Sequence, residues 1–198
     1  MVSWEQLTRN FDKNIDLEDI EEMQSNLNFS VDKKLASLQE RFDNASESDL
    51  EDPSRLPCYK EHLEDLMIST YSAKLLGHEL SIIALYKKIE IKMKKIVLSK
   101  VQGVNERNLS YFNYFKEVIP FSVEDIEGYH SFNELRLINN CIKHGGYVDN
   151  SLASDYSNWT ESDELKDLDA SYDRLLPGVK AYVSNMVDSL YAIECTQP

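Results

Sequence analysis

Apolar residues recur at intervals of three and four along most of this chain, and the alternation that strands need is nearly absent, so the pattern predicts helices. A first amphipathic stretch runs over about Trp4–Gln24 behind Ser3, a candidate N-cap. A second covers about Val31–Phe42, with Val31, Leu35, Leu38 and Phe42 at helical spacing behind Ser30. Residues 43–57, DNASESDLEDPSRLP, are small, acidic and proline-bearing, and read as an exposed loop or linker. The longest periodic run spans about Lys60–Val101 and predicts one long helix, or two with a kink near Gly77. An aromatic cluster follows (Tyr111, Phe112, Tyr114, Phe115) and stops at Pro120. Ser131 and Glu134 stand at capping-box spacing before a helix that ends at Gly145-Gly146. Residues 147–163 read as loop. The last helix, about Glu164–Ile193, carries Pro177-Gly178, which predicts a bend or interruption.

These elements amount to an all-α fold: an up-and-down bundle of four to five main helices over residues 56–198, with an acidic helical extension and linker over 1–55. Composition narrows the class. No apolar run approaches the roughly 20 residues of a membrane span, and the first residues lack the layout of an export signal. Cys58, Cys141 and Cys195 are odd in number and show no CxxC spacing, which points to reduced thiols in a cytoplasmic protein. The net charge of −14 argues against a general nucleic-acid coat, but it is unevenly spread. Residues 66–120 hold 9 bases and 4 acids, a net +5, five of the lysines falling in KKIEIKMKK (Lys87, Lys88, Lys92, Lys94, Lys95). That run is either a solvated face or a local surface for a polyanion.

One segment is not explained by packing alone. In ELRLINNCIKHGGY (134–147), with Leu135 set at 0° and about 100° per residue, Ile142, Ile138, Cys141 and Leu137 fill one arc. Asn139, Lys143, Arg136, Asn140 and His144 fill the other, and Arg136, Asn140 and His144 form an i, i+4, i+8 ridge. Histidine both takes and gives a proton near neutral pH, arginine holds phosphate oxygens, and asparagine orients a hydroxyl or fixes a tautomer. These groups suit metal-independent RNA cleavage by the ribose 2′-OH. The same face also suits an ordinary helix–helix or solvent contact. No metal-ligand spacing occurs, and no cofactor is implied. Cys141, on the apolar arc, reads as a buried small hydrophobe.

At NNCIKH, with the Gly-Gly after it, the chain resembles the HEPN family (higher eukaryotes and prokaryotes nucleotide-binding domains). The family's hallmark is an Arg, commonly followed by Asn, then four to six residues and a His near a helix end. ELSIIALYKKIEIKMKKIV resembles the family's helix with an acidic residue beside the motif, here Glu90, and YDRLLPGVKAYVSNMVDSL its closing helix; the likeness covers roughly residues 60–192. It implies an RNA-acting protein of bacterial toxin–antitoxin or phage-defence type, a homodimer, with a protein antitoxin or regulatory partner and no membrane. By that likeness His144 is the acid/base, Arg136 and Lys143 hold phosphate, and Asn140 orients. In the four-residue spacing the arginine position is Asn139, which makes the site a variant or a non-cleaving one. Tyr147 stands one place beyond the tyrosine that family toxins carry after the His. Glu90 reads either as a salt-bridge partner of Lys94 or as a support for Arg136 and His144. The alternative function is a catalytically silent bundle serving as a protein-interaction or nucleotide-binding module.

Overall fold

The computed structural model describes residues 3–194, and Cys195 lies outside them. The described chain is all-helical, with no strand among the described residues and one isolated antiparallel bridge, Tyr147 to Glu164. Its α-helices are α1 (Trp4–Lys13), α2 (Glu18–Asn44), α3 (Leu56–Lys100), α4 (Phe112–Val118), α5 (Tyr129–Lys143), α6 (Asn150–Asp155) and α7 (Leu168–Glu194). Among the described residues, 3–17 and 82–194 form one compact unit, and 18–81 form another.

In the smaller unit α2 and the first half of α3 make a helical hairpin. Their contacts pair Leu27 with Gly77, Asp32 with Lys74 and Arg41 with Tyr59, so the helices run antiparallel. The 43–57 segment between them carries two ordered turns, Glu47–Asp49 and Pro53–Arg55, the first capped by Ser46 and the second by Asp52. α3 is one continuous helix through Gly77. The missing side chain lets Leu27 lie against the α3 backbone, where a Cβ would overlap it.

In the larger unit the apolar stripe of α3 from Ile82 to Val97 is buried with Leu135 and Ile138 of α5 and the apolar side of α7. The rings of Phe132 and Tyr182 stack at 4.3 Å at its centre. α7 runs unbroken through Pro177, so the interruption allowed for in the sequence does not occur. Pro177 is exposed, so water can serve the carbonyl that its absent N–H leaves unpaired. Gly178 carries the packing role, because a Cβ there would collide with Ser131.

Two helix starts differ from the pattern. The first predicted helix is broken at Asn14, which turns extended, and Leu17 drops into the core. The Ser131–Glu134 capping box does not form. α5 begins three residues earlier behind Gly128, and Glu134 turns inward to Arg174.

Candidate functional site

α5 ends where the sequence places its stop. His144 is the C-cap, and its N–H bonds the carbonyls of Asn140 and Cys141. Gly145 and Gly146, both at positive φ, carry the chain around so that the Gly146 N–H reaches the Cys141 carbonyl at 2.9 Å. The segment after it is pinned back at Val148, Ser162 and Leu165.

The polar arc of α5 is narrower than the helical wheel predicts. Asn139 is fully buried. Its Nδ2 lies 3.5 Å from Asn140 Oδ1, and its Oδ1 has no protein partner. Asn133 and Glu134 are buried as well, because the 147–165 segment closes over this side of the helix through Tyr156, Asn158 and Trp159. Cys141 is buried as expected, and burial pushes its thiol up.

Arg136 is the best-defined member of the ridge. Its Nε and Nη2 donate to Asn133 Oδ1 at 3.1 and 2.8 Å. Asn133 Nδ2 donates to the Tyr156 hydroxyl, which donates in turn to the His130 carbonyl. The guanidinium carbon lies 4.5 Å from the centre of the Phe112 ring. Arg136 is thus fixed by a carboxamide and a ring, while no carboxylate neutralises it among the described residues, and Nη1 is left to outside ligands. Asn133, at i−3 on the same helix, is the signal that sequence reasoning missed.

Arg136 and Asn140 line an open cleft of about 310 Å³. Tyr86 of α3 forms one wall, and Ser110, Tyr111, Phe112 and Asn113 form the other. No acidic side chain lines it. Lys143, one further turn along α5, places its ammonium 5.7 Å from the Tyr86 ring centre. Burial, then Glu90, push the Tyr86 phenol up to about 12, so its hydroxyl stays protonated as a donor. Tyr111 is exposed at the rim, whereas Phe115 belongs to the core. The aromatic cluster therefore serves both packing and the cleft.

The remaining predicted residues lie apart from this cleft. His144 is exposed at the helix end and does not line it, and its imidazole has no hydrogen-bond partner among the described residues. Tyr147 is exposed on the bridge to Glu164. Glu90 accepts from Lys94 at 2.8 Å and Lys87 at 2.9 Å, which is the salt-bridge reading. Burial pushes its carboxyl up, but these bonds outweigh that and hold it below its ordinary value. Lys94 also bonds Ser110 Oγ at 2.7 Å, linking that ion pair to the cleft wall.

The lysine run is largely committed within the protein. Lys88 donates to the Asp16 carbonyl, and Lys92 to the Phe11 carbonyl, so α1 and the turn after it lie across that part of α3. Arg9 and Lys13 both bond Asp188 at 2.6 Å, and Tyr191 bonds Asp12. The surface expected to meet a polyanion thus also holds the N-terminal segment. Among the described residues no three His, Cys, Asp or Glu side chains gather as a metal-ligand set, and no helix is long and apolar enough to cross a membrane.

No family model, no curated protein and no solved structure matches the chain.

Proposed function

We propose that this chain is a HEPN-like bundle that acts on RNA, holding the phosphate backbone of a single strand at the Arg136–Asn140–Lys143 face of α5. One observation carries the reading: a guanidinium with no carboxylate partner, pre-positioned on Phe112 and Asn133, faces a carboxylate-free cleft with exposed tyrosine at its rim. Such a cleft supplies what single-stranded nucleic acid needs, a cation for phosphate and ring faces for bases. Asn140, Asn113 and Ser110 offer hydrogen bonds to ribose hydroxyls, which distinguish RNA from DNA.

The test is fluorescence anisotropy with a labelled single-stranded RNA. Arg136→Ala is expected to weaken binding at least tenfold, because it removes the charge and its stacked platform together. Unchanged affinity would overturn the assignment of the cleft.

A second reading adds cleavage, and the unpartnered imidazole of His144 favours it. His144 stands about 12 Å along the helix axis from Arg136, so it serves a neighbouring phosphate beside Lys143. There it takes the 2′-OH proton, the freed oxygen attacks phosphorus, and the 5′-oxygen leaves with a proton from water. Cleavage of RNA in EDTA is then expected from the wild type and not from His144→Ala. Equal activity in the two proteins would remove His144 from the reaction. No cleavage by either would leave the protein as the binding module described first.

A further inference from the structure

The helical hairpin of residues 18–81 carries a face that its own packing does not explain. α2 covers the side of α3 marked by Leu63, Lys74 and Gly77. With Leu63 at 0° and about 100° per residue, Tyr71, Leu75 and Ile68 fall near 80–140°, and Leu76 and Leu80 near 220–260°. All five are between 44% and 66% exposed. A helix that is apolar on nearly every side ordinarily has neighbours on more than one of them, and exposed apolar surface of this extent marks an interaction site.

Charge identifies the occupant. Residues 18–81 hold 15 acids and 6 bases, a net −9. Glu61, Glu64 and Asp65 are exposed beside the start of the stripe and Glu79 lies beside its end, and none has a cationic partner among the described residues. The nearby cations are engaged: Lys74 bonds Asp32 at 2.9 Å, and Lys60 lies over the Phe42 ring. A second copy of this chain fits poorly, since antiparallel self-pairing centred between Tyr71 and Ser72 sets Glu64 against the copy's Glu79, and parallel pairing sets Glu64 against itself. Anionic lipid is repelled by the same carboxylates.

We propose that the Ile68–Leu80 face of α3 docks a basic amphipathic helix of a partner protein. Its apolar stripe seats on Ile68, Tyr71 and Leu75, and its lysines or arginines meet Glu61, Glu64 and Glu79. The proposal stands on the hairpin alone and does not depend on RNA binding.

The experiment uses the full chain and a labelled 18-residue peptide of Leu and Lys in helical register. A scrambled peptide of the same composition and a Leu/Glu peptide in the same register are the controls. The patterned Leu/Lys peptide is expected to bind at least tenfold tighter than the scrambled one, and the Leu/Glu peptide not to bind. Ile68→Ser/Leu75→Ser should lose at least tenfold in affinity with helical content unchanged, and Glu61→Gln/Glu64→Gln about threefold. Should the first variant lose helicity, the second decides the matter. Equal binding of patterned and scrambled peptides, or wild-type affinity in the variants, would overturn the proposal. So would a concentration-dependent dimer in sedimentation equilibrium that Ile68→Ser/Leu75→Ser dissociates, which gives the face to a second copy. Uptake onto phosphatidylcholine vesicles that the same variant abolishes would overturn it too, giving the face to lipid.

Discussion

Gly128→Ala is expected to lower the stability of the larger unit by about 2–5 kcal/mol, among the largest effects available to a single added methyl group. Gly128 sits at φ +88° as the N-cap of α5, a conformation that costs a non-glycine residue about 1–2 kcal/mol. Its closeness to α7 adds the rest. A Cβ there would overlap the Gly178 carbonyl oxygen and stand 2.6 Å from the Tyr182 nitrogen, both backbone atoms of α7 that no rotamer change can move aside. The control is Gly103→Ala, which shares the positive φ at +74° but has nothing within 4 Å of the added atom. Urea denaturation followed by circular dichroism should show a small shift for Gly103→Ala and a much larger one for Gly128→Ala. Equal shifts would mean that the α5–α7 approach contributes nothing.

Removing Arg174 should cost about 2–3 kcal/mol, less than for a fully buried ion pair because the arginine is half exposed. Its partner is the vulnerable member: Glu134 is 2% exposed. That carboxylate accepts from Arg174 Nη2 at 2.7 Å and Nη1 at 3.0 Å, from Trp159 Nε1 at 2.8 Å and from Asn158 Nδ2 at 3.3 Å. Burial pushes the Glu134 carboxyl up, but these bonds prevail and hold it below the ordinary glutamate value. The folded value lies below the unfolded one, so the stabilisation is complete above about pH 4.3 and is lost as pH falls through the folded value. In Arg174→Ala the strongest lowering contact is gone while the burial remains. The gap between wild type and variant should therefore be widest at neutral pH and should narrow below about pH 4. A gap independent of pH would show that Arg174 acts through packing alone.

The elements that the sequence shows well are those governed by local periodicity: the long α3, the α7 stripe, the α5 stop at Gly145-Gly146 and the buried Cys141. The misread features depend on partners far away in the chain. Glu134 has the spacing of a capping residue, yet Arg174 lies 40 positions later and draws it inward. Asn139 belongs to the polar arc on the wheel, yet it is fully buried. Gly77 and Pro177 carry the local marks of helix breaks, yet both helices run on through them. Gly77 instead answers a neighbour's side chain, and Pro177 sits where water can replace its lost donor. At the site, the ridge of Arg136, Asn140 and His144 was legible as a pattern, but only Arg136 and Asn140 reach the cleft. The residues that hold Arg136 in place, Asn133 and Phe112, come from one turn back and from another helix.

The salt dependence of RNA binding tests the cleft most directly. Each phosphate neutralised on a single strand contributes about 0.7 to the slope of log affinity against log salt. Wild-type protein should bind a labelled single-stranded RNA with a clear negative slope. Arg136→Ala/Lys143→Ala should bind at least tenfold more weakly, with the slope reduced by about 1.4, the value for two lost phosphate contacts. A double variant that matches the wild type in both affinity and slope would contradict the account.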